Sequence, residues 1–143
     1  MSIEHYDFGI TREWIDDGHI AVITTQGDMR RDAVDTWVNI CLDTLNNWHT
    51  DRPILSIQNL SAKMQGLTPY SSRRSEDILA QIPPHKPCYI ALILPNTFIS
   101  RVIGLFMLAR QRFNKDQESR VFTNLGEGLD WLKEKQKLHG SDS

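Results

Sequence analysis

At 143 residues, 40% hydrophobic and 24% charged, the chain has the length of one domain and enough apolar residues for a substantial core. A formal net charge of −2 argues against a nucleic-acid binder that works through a broad basic surface. The longest apolar runs, 89–95 and 102–109, fall short of the roughly 20 residues needed to span a membrane, and residues 1–10 carry no basic or apolar leader. The expectation is a single cytoplasmic domain over 1–143 that is not an integral membrane protein. Cys41 and Cys88 lie in apolar surroundings (ICL and PCYI) and read as buried thiols, with a disulfide as the less favoured alternative.

In chain order, residues 5–15 place Tyr6, Phe8, Ile10 and Trp14 at intervals, and 19–25 (HIAVITT) are more apolar. Asp16-Asp17-Gly18 between them predicts a hairpin whose second strand is the more central. Asp28 is a plausible cap for a helix over about 30–49. Val34, Trp37, Val38, Cys41, Leu42, Leu45 and Trp48 fall on one stripe of that helix, with Asp32, Asp35, Asn39, Asp43 and Asn46 opposite. Residues 54–60 (ILSIQNL) read as a less regular strand, because Ile54 and Ile57 are out of step. A connection follows over 61–70, then a helix opening at Thr68 or at Tyr70-Ser71 and running through Ile82, stopped by Pro83-Pro84.

Residues 89–94 are almost continuously apolar, as in a strand covered on both faces. A helix is expected over 99–113, with Ile99, Val102, Ile103, Phe106, Ala109, Arg110 and Phe113 on one stripe. Leu105, Met107 and Leu108 lie off it. That surplus apolar face is expected to pack on a second subunit as a homodimer interface, or to cover a ligand pocket, with cover by neighbouring helices as the plainer alternative. Residues 114–119 read as a polar loop, 120–123 as a short strand, 126–138 as a last helix and 139–143 as a disordered tail. The order is ββαβαβαβα: an α/β domain with a single mixed, mostly parallel five-stranded sheet and about four helices.

The opening strand pair, the strand-connection-helix of 54–82 with Thr68-Pro69-Tyr70 before the helix, and the ending Arg120-Val121-Phe122 followed by Leu129-Asp130-Trp131-Leu132 together resemble the STAS domain superfamily, in its SpoIIAA-like bacterial branch. The resemblance covers nearly the whole chain. It implies a non-enzymatic regulatory or interaction module that binds a protein partner or small ligand. The alternative is a small-molecule or lipid-binding protein or enzyme on the same type of fold. Antagonists of anti-sigma factors with this fold are phosphorylated on a serine at the start of the helix after the third strand. The resemblance places that site at Ser71 or Ser72, where Tyr70 replaces the family's Asp and Arg73 its Gly.

From the residues themselves, Thr68 to Arg74 (TPYSSRR) is the candidate ligand or phosphorylation segment: Thr68, Tyr70, Ser71, Ser72, Arg73 and Arg74. A helix start offers free N–H groups, and hydroxyls beside two arginines suit a phosphate or carboxylate. The plainer reading is a capping serine with solvated arginines. His5, His19, His49, His85 and His139 form no close pair, so neither a metal site nor a cofactor is expected. Gly126-Glu127-Gly128 lacks the third glycine and the first-strand position of a dinucleotide loop. No catalytic residue is singled out.

Overall fold

Phe8 and Gly9, both at positive φ (64° and 71°), fold the first expected strand back on itself. It becomes two strands, β1 (Ile3–His5) and β2 (Thr11–Ile15), around a 3-10 turn at Asp7–Gly9. The computed structural model describes residues 3–26, 30–49, 51–60, 69–95, 112–114 and 116–139. Asp16, Asp17 and Gly18 then turn the chain through three consecutive positive φ angles into β3 (Ile20–Thr24). Aspartate and glycine tolerate that region better than other residues, so Asp-Asp-Gly acts here as the expected hairpin turn.

The chain continues as α1 (Arg31–Asn46), β4 (Ile54–Asn59), α2 (Pro69–Ala80), β5 (Cys88–Ile93), β6 (Arg112–Asn114), β7 (Gln117–Phe122) and α3 (Leu125–Leu138). Among the described residues the sheet has seven strands in the order β1-β2-β3-β4-β5-β7-β6, so the expected five is too few. β3, β4, β5 and β7 run parallel, and the two edges are antiparallel. The α/β class and a single mixed sheet are as expected, with three parallel and three antiparallel strand pairings among the described residues. The described residues hold three α-helices. The expected helix over 99–113, with Leu105, Met107 and Leu108, lies outside them except at its end, where Arg112–Asn114 is strand β6.

Strand β4 is the middle strand, and its sequence looked irregular because both of its faces are covered. Ile54 packs with Ile82 and Cys88 on one side, whereas Leu55 and Ile57 join Tyr89, Ala91, Ile93, Trp131 and Leu132 on the other. Alternation of apolar and polar residues is a signal only where one face meets water. Helices α1 and α2 cover the first face and α3 the second. Cys41 and Cys88 are free and buried, and burial pushes each thiol up to about 12. Because the thiolate is the nucleophile, neither is expected to react with a thiol reagent at pH 8 unless the protein unfolds. A raised pKa favours the neutral form, so the contribution to stability is full below about 9 and declines as pH rises beyond it. Time-resolved alkylation with and without denaturant checks this: prompt labelling of the native protein would contradict it.

The expected loop at 114–119 is largely strand. Gln117 and Glu118 are buried despite their polarity. The Gln117 side chain donates to the carbonyls of Pro83 at 2.7 Å and Lys86 at 2.8 Å, which satisfies it inside the fold. The last helix begins with a side-chain cap: Asn124 Oδ1 accepts from the Glu127 N–H at 2.8 Å, and the Asn124 side-chain amide donates to the Glu127 carboxylate. Its C-terminal His139, expected in the tail, bonds the Tyr89 hydroxyl at 2.7 Å.

Arg12 ties the antiparallel edge to α1. Its guanidinium grips both carboxylate oxygens of Glu4 at 2.9 and 2.8 Å and reaches Asp43 at 2.8 Å and Thr44 at 2.9 Å. Arg12 itself is buried, while Glu4 and Asp43 are half open to water. Arg12→Met is therefore expected to cost about 2 kcal/mol, measured by urea unfolding at pH 7. The arginine's hydrogen bonds hold the Glu4 carboxyl below its usual 4.5. Stability from this pair is thus present above that value and lost as pH falls below it, and the variant is expected to show a shallower acid limb.

Candidate functional site

The first turns of α1 and α2 lie side by side, following the carboxyl ends of β3 and β4. Ligands of open α/β sheets usually bind beyond the carboxyl ends of parallel strands. On α1, Arg31 and Asp35 are four residues apart and share a face. On α2, Tyr70, Arg73 and Arg74 share a face by the same spacing. Packing of the two helices brings these five residues together.

Tyr70 is the centre of the group. Its hydroxyl donates to Asp35 Oδ1 in a short hydrogen bond, and that bond raises the phenol's pKa. The Arg31 guanidinium carbon lies 4.4 Å from the Tyr70 ring centroid and that of Arg73 lies 5.8 Å away. Arg74 Nε sits 3.5 Å from Asp35 Oδ1, a charge contact too long for a hydrogen bond, while Arg74 Nη1 bonds Asp77 at 2.8 Å. Arg74 is thus engaged by two carboxylates. Arg31 and Arg73 make no ion pair with any described residue.

The structure brings together three of the sequence candidates, Tyr70, Arg73 and Arg74. Ser71 is 4% exposed, and its carbonyl accepts from the Ser75 hydroxyl at 2.8 Å. A kinase would have to open the first turn of α2 to reach Ser71. Thr68 and the Ser72 side chain lie outside the described residues. The expected cap Asp28 does as well, and Arg30 at the start of α1 makes no side-chain cap bond. Sequence reasoning missed Arg31 and Asp35. The available signal was the repeated Arg-Arg pair, 30–31 and 73–74, at the start of both helices.

Gly128 falls against the sheet, away from this site. A Cβ there would come within 2.8 Å of Ile93 Cδ1 and 3.3 Å of Ala91 Cβ, so close packing accounts for this glycine. Among the described residues no group of three or more His, Cys, Asp or Glu is placed to hold a metal, and no helix is long and apolar enough to cross a membrane. Comparison with models of known protein families, with curated proteins and with solved structures finds no match.

Proposed function

We propose that the chain is a non-enzymatic regulatory or interaction module of the STAS-like kind, which engages an anionic group of a protein partner or small ligand through Arg31, Tyr70, Arg73 and Arg74. One observation carries this reading: two guanidinium groups, Arg31 and Arg73, converge on one tyrosine ring with no carboxylate paired to either among the described residues. Like charges held near one ring repel, and a shared anion removes that cost. The dipoles of two helix starts act in the same direction.

A fluorescein-labelled acidic peptide provides the test, with anisotropy read at low and high salt. The wild-type protein is expected to bind it in a salt-dependent way, and the double variant Arg31→Glu, Arg73→Glu to bind at least about tenfold more weakly. Equal binding by both proteins would refute the reading. A homodimer through Leu105, Met107 and Leu108 belongs to the same proposal. Light scattering on wild type and Leu105→Asp is expected to show a dimer that the variant lacks, and a monomeric wild type at high concentration would remove it.

A further inference from the structure

A second site lies at the opposite end of the strands, where β4 and β5 begin. The ends of α1 and α2 and the Pro83 to Pro87 turn enclose a groove of ≈ 650 Å³. That volume suits a small organic molecule. Its apolar lining is Leu45, Trp48, Ile54 and three prolines, Pro53, Pro83 and Pro87. Leu45, Trp48 and Ile54 also wall a small void of ≈ 30 Å³ behind this lining, which leaves these side chains room to adjust. The rim carries Arg52, Lys86 and two histidines, His85 and His139, against the single carboxylate of Asp51.

The geometry points to a small amphiphilic carboxylate as the occupant, its apolar body on the Leu45–Trp48–Ile54 lining and its anionic head between Arg52 and Lys86. Charge complementarity selects the head. Arg52 makes no ion pair with a described residue. Lys86 donates to the His49 carbonyl at 3.1 Å, and burial lowers its pKa, so an anion beside it offsets lost hydration. The negative ends of two helices face the same end of the sheet and oppose an anion. Their terminal carbonyls are largely occupied, however. The Asn47 side chain takes the Asp43 carbonyl at 2.8 Å, and backbone N–H groups take those of Leu45, Ile78 and Leu79. The charged side chains therefore dominate at the rim.

The probe is anilinonaphthalene sulfonate, an anionic amphiphile that fluoresces when it leaves water, at pH 7.5 and low salt. It is expected to bind at one saturable site and to be displaced by octanoate, but not by octylamine at the same concentration. Arg52→Glu is expected to weaken the probe about tenfold and Lys86→Gln severalfold, each with an unchanged thermal unfolding profile. If one variant is unfolded, the other decides. Lys133→Glu, exposed on α3, is expected to leave probe binding unchanged, whereas loss of probe binding in Arg31→Glu would place the probe at the α1–α2 junction and overturn the assignment. The absence of saturable binding, equal displacement by octylamine, or full affinity in the rim variants would each overturn the assignment.

Discussion

Gln58→Ala is expected to lower the unfolding free energy by about 3 kcal/mol, among the largest effects of any single substitution. Gln58 is 8% exposed on the middle strand, beneath α1. Its carbonyl oxygen accepts from Trp37 Nε1 at 2.9 Å, and its amide lies 3.6 Å from Cys41 Sγ and 3.4 Å from Ser56 Oγ. Truncation strands the indole N–H in an apolar layer and leaves a cavity beside Ile23 and Cys41. An unsatisfied buried donor costs more than the net worth of the bond itself. A double-mutant cycle with Trp37→Phe separates the two terms, because removing the donor as well should recover part of the loss. Guanidinium unfolding measures both. A loss under 1 kcal/mol for Gln58→Ala, or no coupling, would contradict the role assigned to this pair.

Gly128→Val is the second, also at about 3 kcal/mol. The α3 backbone approaches β5 at this residue, and a Cβ alone would press on Ile93 and Ala91 at 2.8 and 3.3 Å. The Ile93 terminal methyl can yield, but the Ala91 Cβ is fixed to the strand. Branching at Cβ adds volume where Phe122 already closes the third side at 3.5 Å. The helix must lift, loosening Trp131 and Leu132 from the sheet. Gly126→Ala, two residues earlier and exposed, is expected to stay within about 0.5 kcal/mol, since a better helix former offsets any crowding of the Asn124 cap. Melting temperatures of the two variants should therefore diverge. Similar values would mean that Gly128 is not the contact point of α3.

The contrast between these residues shows what the sequence made legible. The apolar run Tyr89 to Leu94 announced a doubly covered strand, and β5 is one. The stripe of α1 appeared at its 3.6-residue period, with Val34, Trp37, Val38 and Cys41 buried as expected. Gln58, Gln117 and Arg12 were not legible as interior residues. Each is polar, and each is buried because a partner far along the chain satisfies it: Trp37, the Pro83 and Lys86 carbonyls, and Asp43 with Thr44. The break of the first strand was hidden in Phe8, since an aromatic residue at positive φ is rare.

The candidate site was half visible for the same reason. Local reading of Tyr70 to Arg74 found the α2 half. The other half, Arg31 and Asp35, comes from α1, 35 residues away at the Tyr70–Asp35 bond. Only the packing of two helices places them together. Ser71 reads as an accessible hydroxyl in sequence, and the rotation of α2 that presents Tyr70 to Asp35 accompanies its burial.

The most direct test of the α1–α2 junction is a proton–nitrogen correlation titration with the acidic peptide, following the arginine side-chain N–H signals. Signals of Arg31 and Arg73, and the backbone of Tyr70, are expected to shift with one common saturation curve, while Arg52 and Arg120 stay in place. Shifts confined to other residues, or none at saturating peptide, would contradict an interaction site at the junction of the two helices.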